Sequence, residues 1–277
     1  MKIVYFGSDV FLSCFEYLAG GHEILALYTY HNEEDYFTEY AIARRAKELG
    51  IPVHYDQITP EEITQYVQGG CGLFFIGEYS HILQLPRDLT GFRGINVHSS
   101  LLPQGRSYYP LEGAMERELE TTGVTLHKVA RRLDGGDILA QRAFPITPDT
   151  DSVDLYLRCA GAAREMLEEI MADLDAAWEH GRPQPQTPDY WRRPDTALLT
   201  LDHSMTRARG GELFRRYNSL TQVKLGGAWY YVRALDGGSA PLGTEEREIG
   251  RGRWLYRVAD GHLRLCVIPC PGKEMES

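Results

Sequence analysis

The sequence predicts an α/β protein with a parallel-rich sheet over residues 1–181 and a small β-rich domain over residues 199–277. Three observations lead there. Short β-prone apolar runs alternate with helix-patterned segments in the first 180 residues, as in strands joined by right-handed helical crossovers. Residues 182–198 then hold Pro183, Pro185, Pro188 and Pro194 with little apolar periodicity, which reads as a linker. Beyond it come mainly short β-like runs.

Residues 2–6 form the first β-prone run, closed by Gly7-Ser8-Asp9 and followed by an amphipathic helix from Val10 to Leu18 with a stop at Gly20-Gly21. Ile24 to Tyr30 reads as the second strand. A polar loop (His31 to Asp35) leads to a helix-patterned segment from Tyr36 to Leu49, ended by Gly50 and Pro52. A short strand at Val53-His54 precedes a helix opening on Thr59-Pro60-Glu61-Glu62, with Pro60 at its first position. Leu73 to Ile76 is apolar throughout, as a strand covered on both faces should be. Residues 93–98 predict another strand, and Val124 to Val129 with Ile138 to Phe144 a later pair around the turn Asp134-Gly135-Gly136. A long helix is expected from Ser152 to Trp178, on apolar positions at helical spacing, with Gly181 after it. After the linker, a helix from Ser204 to Tyr217 precedes β-like runs at Val223, Ala228 to Val232, Trp254 to Val258 and Leu263 to Val267.

Composition narrows the function. Of the 277 residues, 43% are hydrophobic and 25% charged, so a sizeable core is expected. The net charge of -10 argues against broad, nonspecific nucleic-acid binding but leaves room for a local basic site, and no nucleic-acid partner is expected. That charge is uneven: residues 1–180 carry 14 basic and 28 acidic side chains, net -14, and the remainder 15 and 11, net +4. Five scattered cysteines do not frame a disulfide scaffold, and Cys266 and Cys270 lack a second pair at ligand spacing, so no metal is expected. No apolar run reaches the roughly 18 residues of a membrane span, and no secretory signal is recognised, so a cytoplasmic protein is expected. The first strand-turn-helix lacks Gly-x-Gly-x-x-Gly, so a dinucleotide there is not supported.

The informative segment is Asn96-Val97-His98-Ser99-Ser100-Leu101-Leu102-Pro103, followed by Leu133-Asp134-Gly135-Gly136. Asn96 and His98, two apart at the end of a strand, leave the same face at the sheet edge that borders a ligand crevice. Asp134 lies in a glycine-rich turn that can bring its carboxylate toward His98, orienting the imidazole and favouring its charged form. An amide donor, an imidazole and a carboxylate suit acyl transfer to an amine, in which a proton leaves the amine and a developing oxyanion needs a fixed donor. Ser99 and Ser100 lack the Gly-x-Ser-x-Gly elbow of a serine nucleophile. Asp137 reads as a turn-former, and His127 as a satisfied polar residue near the sheet.

At these residues the sequence resembles the folate-dependent formyltransferases, the methionyl-tRNA formyltransferase-like family, whose members carry Asn-x-His-x-Ser-Leu-Leu-Pro and a downstream Asp-x-Gly. Phe75 to Leu83 and Thr122 to His127 are similar to the sugar N-formyltransferase branch, and Tyr28 to Val53 to the formyltransferase half of the enzyme that modifies lipid A with aminoarabinose. The resemblance covers residues 1–180 well and the rest weakly. It implies a Rossmann-like formyltransferase core, with 10-formyltetrahydrofolate as co-substrate and the primary amine of a nucleotide-linked amino sugar as acceptor. Asn96 would hold the formyl oxygen, His98 would transfer protons, and Asp134 would tune His98. By position, His81, Ile82, Leu83, Ala130, Arg131, Arg132 and Leu133 would line the folate pocket.

Arg106, Tyr108 and Tyr109 would meet the acceptor, the tyrosines by stacking or as hydrophobic anchors. Arg131-Arg132 admits a solvated pair or a contact to a glutamyl tail or phosphate. Tyr190-Trp191 and Arg192-Arg193 admit docking or a nucleotide contact. Two departures stand out: Ser99 follows the histidine where the family has Pro or a small residue, and Arg106-Ser107 replaces the usual Arg-Gly. Other acceptors in the same chemistry are methionyl-tRNA, opposed by the acidic loop His31-Asn32-Glu33-Glu34-Asp35, glycinamide ribonucleotide, and a small amine such as hydroxyornithine. A folate- or sugar-binding protein without catalysis is opposed by the intact Asn96, His98 and Asp134.

Overall fold

The computed structural model describes residues 1–30, 40–185, 189–192, 194–238 and 244–270. Seven segments build the first sheet: β1 (Lys2–Gly7), β2 (Glu23–Tyr28), β3 (Val53–His54), β4 (Cys71–Gly77), β5 (Gly94–His98), β6 (Thr121–Lys128) and β7 (Ile138–Pro145). Their order is β3-β2-β1-β4-β5-β6-β7; the first five run parallel, and β6 and β7 add antiparallel. Alternate side chains of β1 face opposite layers. Ile3 and Tyr5 join a core with Phe15 of α1 (Leu12–Gly21) and Leu155 and Met166 of α5 (Ser152–Ala172), whereas Val4 and Phe6 join one with Ile63 of α3 (Pro60–Gln68). Burial on both faces is why these strands read as apolar runs rather than as alternation.

The chain order reverses direction across the sheet between β1 and β4, which makes the carboxyl ends of β1, β4 and β5 the rim of a crevice. α3 starts on a capping box: the Thr59 side chain accepts from the Glu62 N–H and Glu62 accepts from the Thr59 N–H. Two further helices of this domain are α2 (Ala41–Glu48) and α4 (Pro110–Glu116).

Several boundaries differ from the sequence reading. Gly20-Gly21 lies inside α1, which ends where His22 turns extended. α2 starts at Ala41, and residues 36–39, like the acidic loop His31 to Asp35, Pro188 and Arg193, lie outside the described residues. The long helix is two: Asp173 (φ -149°, ψ 79°) breaks it, and its carboxylate caps α6 (Leu174–Glu179) by accepting from the Ala176 N–H. The proline-rich segment is no free tether over its described residues. Arg182 exchanges both backbone hydrogen bonds with Ile138, the Arg106 N–H donates to the Asp189 carbonyl, and the Trp191 N–H to the Arg106 carbonyl. The Trp191 side chain is buried against Gly105 and Gly113, with the Arg117 guanidinium over its ring.

The second sheet has the order β11-β12-β13-β10-β9-β8 for β8 (Thr200–Leu201), β9 (Gln222–Leu225), β10 (Ala228–Gly238), β11 (Arg247–Gly250), β12 (Arg253–Val258) and β13 (Gly261–Pro269). The short β8 and β11 carried too little apolar signal to be read from sequence. This sheet has its own core with Leu213 and Tyr217 of α7 (Arg207–Tyr217). The Arg215 guanidinium donates to the Thr150 carbonyl of the first domain.

Candidate active site

A cavity of about 950 Å³ opens at the carboxyl ends of β1, β4 and β5. Asn96, His98 and Asp134 all line it. β5 delivers Asn96 and His98 to one face, as their spacing predicts, and Asp134 comes from the β6–β7 connection in a left-handed conformation (φ 48°) that asparagine, aspartate and glycine tolerate best.

The polar contacts fix how each group is presented. His127, on β6 opposite Asn96, donates from Nδ1 to the Lys128 carbonyl at 2.8 Å, so its Nε2 is left to accept from Asn96 Nδ2 at 3.0 Å. Burial pushes the His127 pKa down to about 4, against an opposing pull from Asp134, so the ring is neutral and stays an acceptor at neutral pH. This pins the Asn96 amide and leaves its second N–H for another acceptor. His98 donates from Nε2 to the Gly105 carbonyl at 2.8 Å, which puts Nδ1 on the Asp134 side.

The Asp134 carboxylate lies between the two rings, 3.8 Å from His98 Nδ1 and 3.7 Å from His127 Nε2, beyond hydrogen-bonding range of either. It accepts directly from the Ser107 N–H at 2.8 Å. Orientation of His98 therefore comes from the Gly105 carbonyl and not, as the sequence suggested, from Asp134. Ser107 makes its contact at φ 87°, a conformation that explains why glycine suits this position. His127, read from sequence as a satisfied polar residue near the sheet, is satisfied at both ring nitrogens, and one of its partners is Asn96, which could not be known without the strand pairing.

The loop after His98 is held by Thr125, whose hydroxyl donates to the Ser100 carbonyl and accepts from the Leu102 N–H. Gln184 ties that loop to the Asp134 turn: its Nε2 donates to the carbonyls of Asp134 (3.0 Å) and Gly136 (2.6 Å), and its Oε1 accepts from Arg106 at 2.7 Å. Arg106 is thus fully buried beneath the loop and absent from the cavity lining, which corrects its assignment to the acceptor. Arg132 is also turned away, toward the carbonyls of Gly135 and Pro185. His81, Ile82, Leu83, Ala130, Arg131 and Leu133 do line the cavity, as do Tyr108 and Tyr109. Arg131 gives its guanidinium to the carbonyls of Leu85 and Pro86.

Sequence reading missed Ser8, Asp9, Glu112 and Tyr156 in the lining, and Leu220 contributed by the second domain; Glu78, within the Phe75 to Leu83 stretch already singled out, lines it as well. Ser8 donates to Glu78 at 2.5 Å, and Asp9 accepts from the Ala41 and Ile42 N–H groups that open α2. Burial raises the Glu112 pKa from 4.5 to about 7, only partly offset by hydrogen bonds from its own backbone and Tyr156. The folded state therefore holds this proton over a pH range where the unfolded chain has released it, and stability from this group falls as pH rises from 4.5 to 7. Glu112→Gln should accordingly raise Tm at pH 8.5 relative to the parent and leave the difference near zero at pH 4.5, measured by thermal unfolding at both values.

Among the described residues no group of three or more His, Cys, Asp or Glu side chains is placed to hold a metal ion, and no helix is long and apolar enough to cross a membrane.

Fold and site together place Asn96, His98 and Asp134 in a crevice at the switch point of a Rossmann-like α/β sheet, which is followed by a second sheet domain. Residues 56–171 match the formyl transferase family, a stretch that contains Asn96, His98 and Asp134. Solved structures share the fold. HypX from Aquifex aeolicus in complex with tetrahydrofolic acid superposes with a TM-score of 0.66 at 15% identity, over 97% of this chain and 46% of that one. This chain thus spans about half the length of HypX. An N-formyltransferase from Helicobacter canadensis, solved with folinic acid and dTDP-3-aminofucose, gives 0.62 at 18% identity over 96% and 98% of the two chains. A sugar N-formyltransferase from a Shewanella species gives 0.63 at 19% identity over 84% and 97%.

Proposed function

We propose that this protein transfers a formyl group from 10-formyltetrahydrofolate to the primary amine of a small acceptor. The observation that carries the reading is the convergence of an amide donor locked by a neutral histidine, a second imidazole and a carboxylate in the lining of one cavity. The cavity suits the donor: Ile82, Leu83, Val129, Ala130 and Leu133 give it an apolar wall for a flat heteroaromatic ring, and about 950 Å³ is room for a ligand of that size. When bound, 10-formyltetrahydrofolate supplies the activated formyl group.

The chain's own residues do the rest. Asn96 Nδ2 donates its remaining N–H to the formyl oxygen as negative charge builds there, without reorganising, because His127 holds the other N–H. His98 accepts the proton that the amine loses on attack at Nδ1, since Nε2 is committed to the Gly105 carbonyl. Asp134 stabilises the imidazolium so formed from 3.8 Å, and His98 can return the proton to the departing nitrogen of the donor. The new C–N bond to the amine forms first, and the C–N bond to the donor nitrogen breaks afterwards, as that nitrogen takes the proton and the formamide carbonyl re-forms.

The acceptor we favour is a nucleotide-linked amino sugar, supported by the Helicobacter canadensis relative of the same fold that was solved with dTDP-3-aminofucose. A small amine without a nucleotide, of the hydroxyornithine class, is favoured by another observation: Arg106 and Arg132 turn away, and the described lining holds four carboxylates, Asp9, Glu78, Glu112 and Asp134, against one arginine, Arg131. A panel of dTDP- and UDP-linked amino sugars, hydroxyornithine and methionyl-tRNA, read by tetrahydrofolate release, tests the reading. Turnover with an amino-sugar nucleotide is expected; turnover with methionyl-tRNA alone would overturn the acceptor class.

A further inference from the structure

Glu112 stands apart from the other carboxylates around the cavity. Asp9 is satisfied by two backbone N–H groups, Asp134 accepts from the Ser107 N–H, and Glu78 from the Ser8 hydroxyl. Glu112 is only 3% exposed, yet its Oε2 has no hydrogen-bond partner and no cation pairs with it among the described residues. Its Oε1 accepts from the Tyr156 hydroxyl at 3.2 Å, and both side chains line the cavity. A buried carboxylate oxygen left without a donor costs desolvation that a partner would offset, and the raised pKa of Glu112 is the same deficit seen in its proton equilibrium. Once ionised, as above about pH 7, Glu112 can only accept, so the partner that completes it in that form is a donor. With Asp9 and Glu78 lining the same cavity, the partner cannot be anionic without strong repulsion.

We propose that Glu112, held by Tyr156, is a specificity residue that accepts a hydrogen bond from a second donor group on the acceptor, a hydroxyl or an ammonium, beside the amine to be formylated. The inference rests on the amine formyl-transfer reading and names what that site selects. The phosphates of a nucleotide carrier, where there is one, lie away from Glu112.

Two matched pairs test it: dTDP-3-aminofucose against its 4-deoxy analogue, and 1,4-diaminobutane against n-butylamine, with kcat/KM from tetrahydrofolate release. The pairs separate a hydroxyl from an ammonium. The parent protein is expected to favour the donor-bearing member of one pair at least tenfold. Glu112→Leu should collapse that preference to near unity through KM of the acceptor rather than kcat, and Glu112→Gln, which keeps an acceptor oxygen, should restore part of it. Where Glu112→Leu does not fold, Tyr156→Phe and Glu112→Gln carry the same comparison. No preference in either pair, a preference that survives Glu112→Leu, or no turnover of any of the four compounds overturns the inference. Failure to bind 10-formyltetrahydrofolate, measured by calorimetry, would instead contradict the formyl-transfer reading itself.

Discussion

His98→Ala is expected to lower kcat for formyl transfer by about 10²- to 10⁴-fold, the usual contribution of a positioned proton-transfer group. Donor affinity should change little, because Nε2 of His98 is spent on the Gly105 carbonyl and the apolar wall of the cavity is supplied by other residues. Asn96→Ala should cost roughly 10²- to 10³-fold if its free N–H is the preorganised donor to the charge-bearing oxygen, as proposed. The double variant should be barely worse than His98→Ala, since the two side chains serve a single step. Steady-state tetrahydrofolate release on the three variants checks this, and parent-like kcat in His98→Ala would remove His98 from the reaction.

The second large effect is expected at Gly136, which has no side chain to take part in the reaction. A Cβ there would lie 1.8 Å from the Lys128 carbonyl oxygen and 2.7 Å from its carbon, and backbone atoms cannot swing aside. Gly136→Ala must therefore displace the turn that carries Asp134 and break the bond from Gln184 to the Gly136 carbonyl. A shift of about 1 Å in a catalytic group can cost on the order of 100-fold in rate, and the strain adds a loss of roughly 1–3 kcal/mol in stability. Gly161→Ala is the control: that glycine lies inside α5 with nothing within 4 Å of the added carbon, and alanine should stabilise the helix by roughly 0.5–1 kcal/mol with activity intact. Measuring kcat and Tm on both variants separates turn geometry from a general intolerance of alanine.

Much of the first domain was legible because its strands are buried on both faces and spell continuous apolar runs, and because Thr59-Pro60-Glu61-Glu62 announces a capped helix start. The pair Asn96 and His98 was legible through the two-residue period of a strand. What sequence could not supply was partners. Four prolines exclude helix and strand in residues 182–198, but they do not say that Gln184 and Trp191 would bind the segment onto the loop after His98 and the Asp134 turn. An arginine next to a site motif reads as a ligand contact, and only the packing reveals that Arg106 is enclosed by Gln184 and Pro185. Glu112 sits in the first turn of a helix, where an acid is ordinarily a solvated charge favoured by the dipole. Its burial depends on α4 meeting Tyr156 of α5, a contact far away in sequence. The break at Asp173 was hidden because the apolar periodicity continues to Leu174 on either side of it.

The most direct measurement is a single turnover with donor labelled in its formyl carbon, excess parent protein and the best acceptor of the panel, followed in parallel for Asn96→Ala and His98→Ala. The account predicts that label appears as a formamide on the acceptor amine, one per tetrahydrofolate released, and that both variants bind donor but transfer label at least 100-fold more slowly. Release of labelled formate without a labelled acceptor, or undiminished transfer in either variant, would contradict it.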